Sequence, residues 1–149
     1  MIRFQIPMDP MAQPRVKARR LGNIVQIYTP ENAAVQAYKT AIAEAFTRAA
    51  PDLEKPYNGP VALGIVFTFK RPQSRLNEVV HTIKPDVDNL AKAVMDALNS
   101  VAWHDDSQVI RLSVSKRWAP IIFGGSSGRK KMSADPNIEI NISFLDTGC

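Results

Sequence analysis

The chain has 149 residues, 19 of them Lys or Arg and 14 Asp or Glu, for a formal net charge of +5. That length suits one domain whose core buries about 68–70% of the unfolded surface, and the lone Cys149 excludes an intrachain disulfide and points to a reducing compartment. No apolar run approaches the roughly 20 residues of a membrane span, and MIRFQIPMDP is too short and polar for a secretory leader, so a cytoplasmic protein without membrane attachment is expected.

Ile2, Phe4 and Ile6 alternate with Arg3 and Gln5, the period of a half-buried strand, which Pro7 and Pro10 end. In MAQPRVKARRLGN, Pro14 and Gly22 break regular structure, and Arg15, Lys17, Arg19 and Arg20 project from a loop or loose hairpin arm. Bases at that density suit backbone phosphate, against the plainer reading of a solubilising loop. Ile24–Tyr28 predicts a short second strand. Thr29, Pro30 and Asn32 then open a helix that Ala33–Ala50 continues, with Val35, Tyr38, Ile42, Ala45 and Phe46 as its core stripe. Pro51 stops it.

Val61–Phe69, rich in β-branched and aromatic residues, predicts a central strand. Lys70, Arg71, Arg75 and Lys84 make a basic loop leading to two Asp clusters. His81, in the same loop, has the chemistry of a base or phosphate donor, although a lone His is more commonly structural.

The first cluster, Asp86 and Asp88, follows Pro85 and precedes a helix expected over Asn89 to about Val101, with Leu90, Val94, Ala97, Leu98 and Val101 on its apolar stripe. Lys92 falls one turn beyond Asp88. The second cluster, Asp105 and Asp106, precedes a strand expected over Val109–Val114. Two carboxylates at i, i+2 in extended chain share a side, and their repulsion is relieved by a cation between them. Mg²⁺ or Mn²⁺, which takes oxygen ligands and keeps waters, meets that need. Taken singly, each residue also has a plain structural reading: Asp88 as a helix N-cap, Lys92 as its ion-pair partner, Asp105 and Asp106 as turn residues. An EF-hand is excluded, because Ala91 and Ala97 stand where it needs Gly and Glu.

Beyond Lys116 and Arg117, the Gly/Ser-rich APIIFGGSSGRKKMSADP reads as a mobile surface loop, with Arg129, Lys130 and Lys131 as a further candidate DNA contact. Ile138–Phe144 predicts a last strand, expected antiparallel to Val109–Val114. The order β-β-α-β-α-β-β implies an α+β fold, a single domain over 1–149 with a mixed β-sheet and two helices packed on it. Most of the basic residues fall in three segments, and such clustering favours phosphate contacts over simple solubility, which makes Lys70, Arg71, Arg75, Lys84 and Lys116 candidate DNA contacts beside the bases of the two arms.

KPDVDNLAKAVMDAL followed by WHDDSQV resembles the RusA family of Holliday junction resolvases. The pattern P-D-x-D-N-L-x-K-x-x-x-D-A-L, then D-D-x-Q-V, is present at every position, and the resemblance is sharpest over His81–Trp118. It implies a homodimeric, Mg²⁺-dependent endodeoxyribonuclease acting on branched, four-way DNA. It further implies Asp86, Asp88 and Asp106 as metal-binding carboxylates and Lys92 as the catalytic lysine, while Asp96 and Asp105 match the pattern without an assigned role. The rival readings are a non-catalytic basic DNA-binding module and a metal-dependent nuclease for another nucleic-acid structure. A helix over Asn89–Val101 would run roughly 20 Å and carry the chain away from Asp88 before Asp106 appears. Unless the turn doubles back, a twofold partner would have to supply Asp106.

Overall fold

The computed structural model describes residues 1–30 and 32–148; the thiol of Cys149 lies outside them. In chain order the elements are β1 (Ile2–Ile6), β2 (Lys17–Leu21), β3 (Ile24–Tyr28), α1 (Ala33–Ala49), β4 (Val61–Phe69), α2 (Val87–Leu98), β5 (Val109–Trp118), β6 (Ile121–Gly124), β7 (Lys130–Ser133) and β8 (Asn137–Phe144). Four of them form one mixed sheet in the order β1-β8-β4-β5. The other four pair as two-stranded hairpins, β2 with β3 and β6 with β7. This is the α+β architecture with two helices that the sequence predicts.

The core lies between one face of the sheet and the two helices. Val61, Leu63, Ile65 and Phe67 of β4 and Ile138, Ile140 and Ile142 of β8 are buried at every second position, as strand geometry requires when one face is covered. Against them lie Tyr38, Ile42 and Phe46 of α1 and Leu90, Val94 and Leu98 of α2. Asn32 caps α1, its Oδ1 accepting from the backbone N–H of Val35 at 2.9 Å.

The last strand is not the partner of Val109–Val114. β8 runs antiparallel to both β1 and β4, whereas β5 runs parallel to β4. Two physical reasons account for this. A strand, a helix and a strand in succession return the chain in the same direction, so the α2 crossover makes β4 and β5 parallel. The three fully buried isoleucines of β8 require neighbours on both sides, whereas β5 leaves Ile110 66% and Leu112 46% exposed and suits an edge.

The segment read as a mobile Gly/Ser-rich loop is the β6–β7 hairpin. Its tip places Gly125 and Gly128 at φ 89° and 63°, the left-handed region where glycine avoids a Cβ clash. Its base is tied down by Arg71 N–H donating to Ser133 Oγ at 2.8 Å and by Ala134 N–H donating to Pro120 O at 2.8 Å. The basic arm near the N-terminus is also a hairpin, turning through Gly22 at φ 62°.

Candidate active site

The helix carrying the Asp motif begins two residues earlier than its periodicity predicts and ends three earlier. Asp86 is the N-cap, with extended backbone at φ −74° and ψ 145°, and Asp88 lies inside the first turn. The two carboxylates therefore do not share one extended segment, and Asp88 is not the cap. An acid in the first turn is favoured by the partial positive charge of the helix N-terminus. Lys92 and Asp96 follow Asp88 at intervals of four, which aligns the three side chains along one ridge of α2, exposed at Asp88 and Lys92 and partly buried at Asp96, where Lys39 of α1 pairs with it at 3.8 Å.

Asp86 makes no side-chain bond to its own helix. Its carboxylate instead meets Arg15, whose Nη2 donates to Oδ2 at 2.9 Å. With its amide oxygen turned toward Arg15, Asn89 accepts from Nε and Nη2 at 3.1 Å. Gln13 N–H donates to the Asn89 carbonyl at 3.0 Å. The segment preceding the first hairpin is thereby stitched to the start of α2. Beside the contact is a cleft of about 230 Å³, to which Lys84 and Pro85 contribute.

After Leu98 the chain doubles back. Asn99 is an extended C-cap, Ser100 takes φ 62°, and the N–H groups of Val101 and Ala102 both donate to Leu98 O, at 3.0 and 2.8 Å. This delivers Trp103, fully buried, into the core. Its Nε1 donates to Asp106 Oδ1 at 2.8 Å. Asp105 and Gln108 form a reciprocal capping box around the short turn Asp106–Gln108, and Gln108 Nε2 also donates to the carbonyls of Tyr57 and Gly59 at 2.9 and 2.8 Å. Trp103 and Gln108 thus orient Asp106. The sequence pattern contains Gln108 but gives no sign of its role, which depends on the distant carbonyls of Tyr57 and Gly59, and Trp103 lies just outside the pattern.

Partial burial pushes the Asp106 carboxyl above its ordinary value; the Trp103 bond opposes that, Asp96 and Asp105 add to it, and Lys92 opposes it. The charges of Lys92 and Asp96 reach it, so the turn brings Asp106 back toward that stretch of α2. Among the described residues, no three carboxylate, imidazole or thiol groups are gathered closely enough to hold a metal ion. The donor chemistry suits a hard divalent cation. In one chain it is divided between the head of α2, with Asp86 and Asp88, and the Asp106 turn.

The basic residues separate into two groups. Lys17, Arg19, Arg20, Lys70, Lys84, Arg129, Lys130 and Lys131 are exposed, and Lys70 and Lys130 border a cleft of about 270 Å³ between the loop after β4 and the second hairpin. Arg71, Arg75 and Lys116 differ from what their clustering leads one to expect, because their charged heads are bound within the chain. Arg71 donates to the carbonyls of Ala119, Arg75, Leu76 and Glu78. Arg75 pairs with Glu78, and Lys116 donates to the carbonyls of Ile83 and Pro85. His81 is buried, its ring 4.0 Å from that of Trp118 and 4.5 Å from that of Phe69. It is a packing residue at the middle of the loop.

Compared with known proteins, residues 7–143 match the family described as Endodeoxyribonuclease RusA. The chain is also similar to the uncharacterized protein YqaN of Bacillus subtilis (strain 168), at 32% identity over 126 residues, covering 77% of this chain and 86% of that protein. Among the described residues, no helix is long and apolar enough to cross a membrane.

Proposed function

The chain belongs to the RusA endodeoxyribonuclease family, and from that membership we propose that it is a homodimeric, Mg²⁺-dependent endonuclease. It resolves four-way DNA junctions by phosphodiester hydrolysis, serving recombination and repair, with Mn²⁺ able to replace Mg²⁺. The observation that carries this proposal is the environment of Asp106. Its ionised form is penalised by partial burial and by two neighbouring acids, yet Trp103 and the capping box hold it in place. A carboxylate maintained at such a cost has the character of a cation ligand.

Asp86, Asp88 and Asp106 are the proposed ligands, and a cation bound there supplies Lewis-acid polarisation of a phosphate oxygen. Lys92 lies one turn from Asp88 and is of the type that stabilises negative charge developing on a leaving oxygen. Arg15, 68% exposed beside Asp86, is placed to exchange its carboxylate partner for a DNA phosphate. The exposed bases of the two hairpins, with Lys70 and Lys84, orient the backbone and supply affinity. Although the turn after Leu98 doubles back, no three acids of one chain are gathered among the described residues, so a second copy is the proposed source of the Asp106 that completes each site, which would also give two centres for two symmetric nicks.

The test is cleavage of labelled four-way junction, linear duplex and flap substrates with and without Mg²⁺. Preferential, paired nicking of the junction in Mg²⁺ is expected. Equal rates on duplex and junction would overturn the resolvase assignment, and binding without metal-dependent cleavage would leave a basic DNA-binding module.

A further inference from the structure

Lys116 opens the third basic segment, next to Arg117, yet its ammonium faces inward. It lies on β5, in register with Phe67 of β4, and its side chain is half-buried. Its Nζ donates to the carbonyls of Ile83 and of Pro85, the latter at 2.9 Å. An ammonium withdrawn from water is costly unless polar groups replace its hydration. These two carbonyls do so, and bonds with a charged donor are stronger than neutral ones.

The position of those carbonyls gives the contact its meaning. Ile83 and Pro85 flank Lys84, and Pro85 immediately precedes Asp86, the N-cap of α2. Binding the Pro85 carbonyl fixes the peptide unit linking Pro85 to Asp86, and so the backbone from which the Asp86 carboxylate projects. Two residues on, Trp118 of the same strand stacks on His81; alternate residues of a strand share a face. One face of β5 thus anchors the loop twice, through His81 and again at Ile83 and Pro85.

We infer that Lys116 is a positioning residue for the proposed metal site: through Ile83 and Pro85 it holds the turn that presents Asp86, and it is not a contact to DNA phosphate. This rests on the assignment of Asp86 as a cation ligand. Outer residues that orient metal ligands are typically worth 10–100-fold in metal affinity or activity. A phosphate contact would instead contribute about 0.9 to the slope of log affinity against log salt.

The test compares wild type with Lys116→Met, which keeps the stem and removes the donors, and Lys116→Arg, which restores donors. Mn²⁺ affinity is measured without DNA by electron paramagnetic resonance. Junction affinity is measured across salt in EDTA, and the single-turnover cleavage rate at saturating junction and Mg²⁺. For Lys116→Met the expectation is a loss of about tenfold or more in Mn²⁺ affinity and a slower cleavage rate, with junction affinity and salt slope unchanged. Lys116→Arg is expected to recover most of the Mn²⁺ affinity. A flattened salt slope with unchanged Mn²⁺ affinity would overturn the inference and make Lys116 a phosphate contact; no change in any measurement would overturn it too. Should Lys116→Met fail to fold, Lys116→Gln takes its place, and wild-type Mn²⁺ affinity in it would overturn the inference. The wild-type protein separates the two levels: if it neither binds Mn²⁺ nor cuts the junction, the underlying assignment fails whatever the variants do.

Discussion

The guanidinium of Arg15 and the carboxylate of Asp86 meet at 2.9 Å although 71 positions separate them in the chain. Both side chains are half exposed or more, at 68% and 50%, and an ion pair so solvated contributes about 0–1 kcal/mol to stability. Arg15→Gln is therefore expected to change the denaturation midpoint little. Its effect should fall on DNA: weaker junction binding, with the salt slope reduced by about 0.9 for one lost phosphate contact. Fluorescence anisotropy across a salt series measures this, and an unchanged slope would confine Arg15 to holding Asp86.

Asp106→Asn is expected to stabilise the metal-free protein at neutral pH while abolishing cleavage. The carboxyl is raised above its ordinary 3.8 on folding, chiefly by burial. Its contribution to stability is thus fully present below about pH 3.8 and is lost as pH rises through the folded-state value. At neutral pH the ionised form is a burden that Asn does not carry, while the Asn oxygen still accepts from Trp103 Nε1. Thermal melts of both proteins at pH 7 and pH 4 measure this, and a lower midpoint for Asp106→Asn at pH 7 would contradict it.

Mixing inactive Asp88→Asn and Asp106→Asn proteins, with subunit exchange verified, is expected to restore single-strand nicking. If each site takes Asp88 from one chain and Asp106 from the other, the two lesions coincide in one site of the heterodimer and the other is intact. Sites confined to one chain leave none intact, so persistent inactivity after exchange would rule out sharing.

His81 is predicted to make the protein acid-sensitive. Burial, aided by the charge of Lys116, lowers its value below 6.5. The unfolded chain therefore takes up the proton first, and stability falls as pH drops below 6.5 and through the folded-state value. His81→Phe keeps an aromatic ring between Phe69 and Trp118 and should remove this part of the pH dependence. Urea denaturation of both proteins between pH 7.5 and 5 measures it; parallel curves would show that His81 does not titrate in this range.

Period and punctuation in the sequence were sufficient for the elements whose stability is local or one-sided. The β-branched and aromatic run Val61–Phe69, the alternation in Ile138–Phe144 and the apolar stripes of both helices mark the elements that build a core. The family pattern likewise specified which carboxylates and which lysine to examine, because chemistry that demands particular side chains at set spacing leaves a linear trace. Strand order left none. That β8 lies between β1 and β4 follows from where three isoleucines find cover on both sides, a property of the assembled sheet. The head of α2 was misplaced by two residues because a helix start depends on capping, and Asp86 caps in backbone only while Arg15, far away in the chain, holds its carboxylate. Charge was the least legible property of all. Lys116, Arg71 and Lys130 look alike as letters in basic runs, and only the fold decides which ammonium or guanidinium meets buried carbonyls and which meets solvent, since desolvation depends on what surrounds a side chain in space and not on its neighbours in sequence.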